Sequence, residues 1–321
     1  MNPVETILSK QGYVMLDGGL ATELETHGAN LDHELWSAKM LLDAPELLRK
    51  VHVDFLHAGA DIIATATYQA SFGGFERAGY DHARAASLMC LSVDIALLAR
   101  EIFWSGQHSE HNRLRPLVAA SIGPYGACLH DGSEYHGNYG LSRQELIGFH
   151  RPRMEVLAAT DADLFAFETI PSLLEAEALL ELMAEFPEHS ALLSYSCRDG
   201  QHVSHGELFS ECAALADGSP QIVAVGVNCT DPRLVSSLLE TAAAVQTPLL
   251  AYPNSGEQWQ AEDNRWSGEI CSEMPVADWY DLGARFFGGC CRTRIGEIRR
   301  MRERLNDKIS GTIDVALEHS G

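Results

Sequence analysis

The sequence has no long hydrophobic segment. Its 321 residues are 46% apolar, yet no run of about 18 apolar residues occurs, so we expect no membrane-spanning helix. The opening residues, MNPVETILSKQ, carry neither the basic segment nor the apolar stretch of a secretory signal, so we expect that the protein is not secreted. The apolar content is ample for a large packed core.

Positive charge is scarce. Only 23 residues are Lys or Arg against 45 Asp or Glu, which gives a formal net charge of −22. Such an excess of negative charge disfavours nucleic acid and anionic membrane surfaces as partners. It is compatible with a cationic substrate, although an acidic composition is also ordinary in enzymes that bind none.

Two common enzyme motifs are missing. The segment DGGLATE, with Gly18 and Gly19, lacks the G-x-G-x-x-G spacing of a dinucleotide site, and the histidines do not form the H-E-x-x-H pattern of a zinc protease. We interpret the two glycines as positions where backbone amides can approach a ligand, such as its carboxylate.

The cysteines are spread along the chain instead of being clustered. A disulfide framework is typical of short secreted domains, so eight cysteines in a chain of this length predict a reduced, cytoplasmic protein. Those on predicted helices or loops are interpreted as structural; they are Cys90, Cys128, Cys212 and Cys271.

A short β-rich run that ends in small, polar or turn residues recurs eight times, and helical patterns fill the intervals. Alternating strands and helices predict right-handed crossovers and a parallel sheet. Eight such units predict a single (β/α)8 TIM-barrel domain over residues 1–321 with its core at about 10–305; a doubly wound open sheet is the alternative. The predicted strands cover 13–19, 60–69, 115–124, 162–171, 191–200, 221–230, 248–256 and 284–291.

Three thiols end two of these strands. Cys229 ends the sixth, and Cys290 and Cys291 end the eighth. Active sites of such barrels lie at the carboxyl ends of the strands, and strands are spaced by ~4.8 Å, so these thiols can converge on one ion. Soft sulfur ligands favour Zn²⁺, and three protein ligands leave the open position of a catalytic site. The alternatives are core packing or a Cys290–Cys291 disulfide of a redox protein, and Cys197 could supply a fourth thiol.

Carboxylates end two other strands. LDGG places Asp17 at the end of the first, and FAFETI places Glu168 at the end of the fourth. Phe165 and Phe167 suit a layer that faces helices, so strand alternation points Glu168 into the barrel mouth. Two acids near a metal site could hold an ammonium group, as on an amino acid, or serve as acid and base.

Several motifs together resemble one family. GVNC at 226–229, GGCC at 288–291 and LDGG at 16–19 are similar to motifs of the homocysteine S-methyltransferases, and the similarity runs over roughly residues 10–305. The chain most resembles the cytoplasmic branch that uses S-methylmethionine, although it has DGGL where that branch often has DGAM. Further shared stretches are ATELE (21–25), SIGPYGA (121–127), DGSEY (131–135) and YPNSGE (252–257).

The resemblance implies a (β/α)8 barrel with one Zn²⁺ held by Cys229, Cys290 and Cys291. It implies that the sulfur of homocysteine takes the open position on the metal. Asp17 and Glu168 match the family positions that receive the amino group of the substrate. The predicted substrate-binding set is Asp17, Gly18, Gly19, Glu168 and Asn228.

Elementary thiol chemistry agrees with methyl transfer. A free thiol is mostly protonated at neutral pH, whereas zinc coordination deprotonates it. A sulfonium donor releases a neutral thioether, so no catalytic side chain is expected beyond the metal-activated substrate thiol. S-methylmethionine, S-adenosylmethionine and betaine stay open as donors, and selenocysteine as an acceptor. A redox protein and a barrel with a structural zinc are competing hypotheses, and the oligomeric state follows from no pattern that we found.

Overall fold

The computed structural model describes residues 2–29, 39–107, 113–129, 131–260, 265–271 and 273–318. Among these residues, eight parallel strands form one sheet in the order β1-β10-β7-β6-β5-β4-β3-β2, and a parallel bridge between Leu16 and Ile62 joins the two ends. The predicted (β/α)8 barrel is therefore confirmed. The strands are β1 (Val14–Met15), β2 (Ile62–Ala64), β3 (Leu117–Ile122), β4 (Leu164–Ile170), β5 (Ala191–Tyr195), β6 (Ile222–Asn228), β7 (Leu249–Tyr252), β8 (Gln258–Gln260), β9 (Arg265–Ser267) and β10 (Ala284–Phe287).

Helices separate the barrel strands, as the sequence pattern predicts. Ser142 and Ser172 accept hydrogen bonds from backbone N–H groups three residues on, which starts the helices after β3 and β4. The helices are α1 (Glu5–Gln11), α2 (Leu20–Thr26), α3 (Met40–Asp43), α4 (Pro45–Ala58), α5 (Phe72–Arg77), α6 (His82–Gln107), α7 (Arg143–Ala158), α8 (Leu173–Met183), α9 (Phe209–Ala214), α10 (Pro232–Thr241), α11 (Val276–Asp281) and α12 (Ile295–Glu318).

The buried apolar residues form two layers. Phe165 and Phe167 of β4 belong to the outer layer between strands and helices, whereas Ala166 belongs to the barrel interior. This alternation confirms the predicted facing of β4. Val4 and Ile7, at the start of the chain, pack into the interior cluster, so the amino-terminal end of the barrel is filled.

Two features do not follow from simple sequence rules. Proline inside a helical pattern is expected to kink or interrupt the helix, but α7 runs without a break from Arg143 to Ala158 across Pro152. An antiparallel hairpin of β8 and β9, which the sequence pattern did not predict, lies between β7 and α11. In the part of the chain that the structure describes, no helix combines the length and the apolarity of a membrane crossing.

Candidate metal centre

The loop after β10 carries two of the three cysteines and is fixed by its neighbours. The N–H of Gly289 donates to the carbonyl of Asp17 (3.0 Å), and the N–H of Cys290 donates to the carbonyl of Pro253 (2.8 Å). The carbonyl of Cys291 accepts from the N–H of Ser255 (3.1 Å). The ends of β1 and β7 thus hold the turn that brings two adjacent thiols to the same side.

Glycine is required within this turn. A Cβ on Gly289 would collide with the side chain of Thr293, which is fully buried and cannot easily move. The backbone turns again immediately after the cysteines, where Arg292 adopts a φ of 66°. The adjacent cysteines therefore lie on a tight turn and not on an extended strand.

Cys229 reaches the same point from the end of β6. Its φ of 45° lies in the left-handed region, as does that of Thr169 at 62° on β4. Asn228 links the two turns, since its Oδ1 accepts from the N–H of Thr169 (2.6 Å) and its Nδ2 donates to Thr169 Oγ1 (2.8 Å). The same Nδ2 lies 3.7 Å from Cys290 Sγ. Asn228 therefore positions the backbone around the cluster.

The three sulfur atoms converge. The Sγ atoms of Cys229, Cys290 and Cys291 all lie within 4.8 Å of one another, and those of Cys229 and Cys291 are 3.5 Å apart. Among the Cys, His, Asp and Glu side chains of the described residues, these three thiols form the group that could hold a metal ion. Cys197 is not a member of it. Three soft donors suit Zn²⁺ and leave one position free.

The sulfur contact in the structure joins Cys229 to Cys290 as a disulfide pair, and Cys291 is a free thiol. The Cys290–Cys291 disulfide of the redox alternative is therefore wrong. The turn explains the difference, because it directs both adjacent side chains toward Cys229. A metal ion at this site requires the reduced pair.

Burial and neighbouring acids disfavour an unliganded thiolate here. Burial, followed by the charge of Glu134, raises the pKa of the Cys291 thiol to about 12. A metal cation would offset this effect by stabilising the deprotonated sulfur. The chemistry of the donor set thus fits a bound divalent ion.

The two predicted carboxylates lie at the ends of β1 and β4. Asp17 Oδ2 accepts from the N–H of Ala64 (2.9 Å), and Glu168 accepts from the hydroxyls of Ser121 and Tyr252. Burial raises the pKa of both carboxyls, and the charge of Glu168 raises that of Asp17 further. A cation bound between them would relieve this repulsion.

Gly18 and Gly19 lie against the loop of the cysteines. A Cβ on Gly18 would be 2.8 Å from the carbonyl oxygen of Thr293, and a Cβ on Gly19 would be 2.7 Å from that of Cys290. The N–H of Gly19 donates to the carbonyl of Thr293 (2.8 Å). Both glycines thus allow close packing of β1 and the loop after β10.

Sequence reasoning missed a further group near the cluster. Glu134 and Tyr135 belong to a short turn after β3, and the charge of Glu134 affects both Cys291 and Tyr68. The DGSEY motif marked this segment as similar to the family. No local pattern indicated that its glutamate approaches the thiols, because the approach depends on how the loop folds back over β4 and β5.

Comparison with known proteins identifies the family. A family model described as homocysteine S-methyltransferase matches residues 14–305. The homocysteine S-methyltransferase YbgG of Bacillus subtilis (strain 168) is 48% identical over 305 residues, which cover 94% of this chain and 97% of that protein. The chain belongs to the homocysteine S-methyltransferase family.

Other members of the family are similar in sequence and in fold. The selenocysteine Se-methyltransferase of Brassica oleracea var. italica is 45% identical, with 94% of this chain and 91% of that protein covered. The metallated form of the homocysteine methyltransferase MmuM from Escherichia coli superposes with a TM-score of 0.84 at 41% identity, covering 94% of this chain and 100% of that chain. Its oxidized form gives a TM-score of 0.86 at 42% identity, covering 95% and 100%.

Family membership and geometry agree on the metal site. A relative of the same fold binds metal, and the three thiols of this chain converge as ligands must. The cluster of Cys229, Cys290 and Cys291 is the zinc site of a homocysteine S-methyltransferase.

Proposed function

We propose that this enzyme transfers the sulfonium methyl group of S-methylmethionine to the sulfur of L-homocysteine, and that both become methionine. The observation that supports this best is the convergence of three thiols beside two carboxylates at one end of the barrel. The thiols suit a soft metal that binds sulfur, and the carboxylates suit the ammonium group of an amino acid.

The bond changes balance without a further reactant. The thiol of homocysteine loses its proton to solvent, and the resulting thiolate attacks the methyl carbon. A new S–C bond forms while the S–C bond of the donor breaks, and its electron pair stays on the donor sulfur. Zinc, when bound, lowers the pKa of the substrate thiol and so makes the nucleophile available at neutral pH.

The chain itself binds, orients and shields. Asp17 and Glu168 would hold the ammonium group of homocysteine, which fixes the distance from that group to its sulfur. Asn228 holds the turns of Thr169 and Cys229, and thereby the ligand geometry. The segment after β3 (described residues 123–129 and 131–142) would cover the mouth of the barrel and exclude water. Gly18, Gly19 and Asn228 as direct substrate contacts stay predictions.

A donor screen tests the proposal. Reduced, zinc-loaded protein should form methionine from homocysteine and S-methylmethionine faster than from S-adenosylmethionine or betaine. Similarity to a selenocysteine Se-methyltransferase makes selenocysteine a second acceptor to include. No methionine from any of the three donors would contradict the proposed reaction.

Removal of a metal ligand provides the matching variant test. Cys229→Ser should lower the zinc content from about one per chain to near zero and abolish activity, because oxygen is a weak ligand for zinc in a sulfur site. Cys90→Ser, a thiol outside the cluster, is the control and should keep both. Full activity of Cys229→Ser without zinc would rule out metal-assisted transfer.

X-ray absorption separates this proposal from a purely structural zinc. Homocysteine should add one sulfur to the metal shell of the zinc-loaded enzyme, whereas a structural zinc would keep its ligands. We also propose that the enzyme acts in the cytoplasm on small molecules, without nucleic acid or membrane partners, in line with its net charge of −22 and with cysteines that are scattered along a long chain.

A further inference from the structure

The segment after β3 folds over the barrel mouth. The N–H of Tyr125 donates to Glu175 Oε1 (2.6 Å) at the start of α8, which ties the segment to the helix layer. Ser196, just after β5, donates through its hydroxyl to the carbonyl of Glu134 (3.3 Å). The segment therefore crosses the ends of β4 and β5 and carries Glu134 and Tyr135 to the metal-binding side.

One oxygen of the Glu134 carboxylate lacks a partner. Its Oε2 has no access to solvent and no hydrogen bond within the described residues. Burial, only partly offset by its own backbone N–H, raises the pKa of this carboxyl to about 7. A buried acceptor without a donor is costly, and in native proteins such groups commonly belong to binding sites.

In the described part of the chain, no cation is among the main charges that act on Glu134 or Cys291. The charged residues that act on Glu134 and on Cys291 are acids, among them Asp131, Glu168 and Glu25. Arg292, which follows Cys291 in the loop after β10, instead donates to Glu257 Oε2 (3.0 Å). Three thiolates bound to one divalent ion leave a net charge of −1, so the region around Glu134 is strongly negative.

Glu134 is distinct from the other pair of acids. Asp17 follows β1 and Glu168 lies on β4, and both accept hydrogen bonds from groups of β2, β3 and β7. Glu134 lies in the covering segment, and its electrostatic neighbours are Tyr68 and Tyr135. A tyrosine ring close to a carboxylate can add to the attraction for a cation whose charge is spread over carbon and sulfur.

We propose that Glu134, with the rings of Tyr68 and Tyr135, recognises the positive charge of the sulfonium donor. The inference rests on the proposed function and adds the residue that selects the donor. The donor is a cation before transfer and a neutral thioether after it, because the electron pair of the broken S–CH₃ bond stays on its sulfur. Glu134 therefore favours the bound donor over the demethylated product and promotes product release.

The variant Glu134→Gln tests the proposal, since it removes the charge and keeps the shape. We expect the KM for S-methylmethionine to rise about ten- to hundred-fold, with the KM for homocysteine within about two-fold and the zinc content unchanged. Glu134→Asp, which keeps the charge, should recover part of the loss. Glu188→Gln removes an exposed acid before β5, at the opposite end of the barrel, and should change neither KM.

Binding measurements keep this test separate from the proposed reaction. Calorimetry with zinc-loaded protein compares S-methylmethionine with methionine, which lacks the extra methyl group and the sulfonium charge. The wild type should prefer the cation, and Glu134→Gln should lose most of that preference, whether or not turnover is seen. If wild type makes no methionine but keeps this preference, the proposed reaction fails and the cation subsite stands.

Three results would overturn the proposal. A rise in the KM for homocysteine alone would assign Glu134 to the acceptor. Loss of zinc in a folded Glu134→Gln protein would assign it to the metal site. An unchanged donor KM together with an unchanged preference for the cation would show that the carboxylate has no part in donor recognition.

Discussion

Single residues set the geometry of the zinc site through unusual backbone conformations. Thr169 and Cys229 both have positive φ angles, which cost a non-glycine residue about 1–2 kcal/mol each. The amide of Asn228 bonds Thr169 through both its oxygen and its nitrogen, and so holds a strained turn directly after Glu168. The proposed acceptor site and the metal site are therefore linked through adjacent residues.

Glu168→Gln is the residue-scale prediction. The amide keeps the hydrogen bond to Ser121 but lacks the charge that would attract an ammonium group, so the KM for homocysteine should rise about ten- to hundred-fold. Zinc content, measured by metal analysis, should not change. Glu188→Gln again serves as the charge control. An unaltered homocysteine KM would show that the ammonium group binds elsewhere.

Local pattern predicts some of these residues and not others. Alternation along FAFETI predicts that Glu168 faces away from Phe165 and Phe167, and the buried clusters confirm the alternation for Ala166. Cys229, Cys290 and Cys291 follow from strand ends, which a barrel gathers at one rim. Glu134 could not be predicted in this way, because its position depends on a hydrogen bond between its carbonyl and Ser196, 62 residues away in the chain.

At the scale of elements, the loop after β10 behaves as a rigid unit. Backbone hydrogen bonds join it to the ends of β1 and β7, and Arg292 N–H donates to Thr22 Oγ1 of α2 (2.9 Å). Such a loop holds its ligands in place before metal binds, which reduces the entropy lost on binding.

Gly289→Ala is the element-scale prediction. The added methyl group would clash with Thr293, so we expect a loss of about 1–3 kcal/mol of stability and weaker zinc binding, measured by denaturation and by competition with a chelator. Removing the clash in Gly289→Ala/Thr293→Ala should restore part of both. Gly148→Ala on α7, where nothing lies within 4 Å, is the control. Normal zinc affinity of Gly289→Ala would show that the loop adapts freely.

The eight barrel strands could be predicted because each is an apolar run that ends in small or polar residues. The β8–β9 hairpin was missed because each of its strands has only three residues, too few to show alternation. The role of Val4 and Ile7 was missed for another reason, since their helical pattern does not reveal that they fill the barrel.

At the scale of the molecule, barrel closure joins the two ends of the sheet. The bridge between Leu16 and Ile62, with the N–H of Asp17 donating to the carbonyl of Ile62 (3.0 Å), makes β1 depend on β2 and β10 at once. We therefore propose that the chain folds as one domain, in which the first and last strands are held by the same hydrogen-bond network.

Thermal unfolding tests this proposal. The reduced protein should unfold in a single transition, and zinc at about 100 times its dissociation constant should stabilise it by about 2.7 kcal/mol, measured by calorimetry with and without a chelator. Two separate transitions would contradict a single domain. A zinc-independent midpoint would show that the metal binds the unfolded chain equally well.

The filled amino-terminal end of the barrel has a consequence for how reactants reach the site. Since Val4 and Ile7 occupy the barrel interior there, the barrel is closed at that end and does not form a through channel. This leaves the carboxyl ends of the strands as the entrance for reactants, and the segment that carries Glu134 crosses the ends of β4 and β5 on that side.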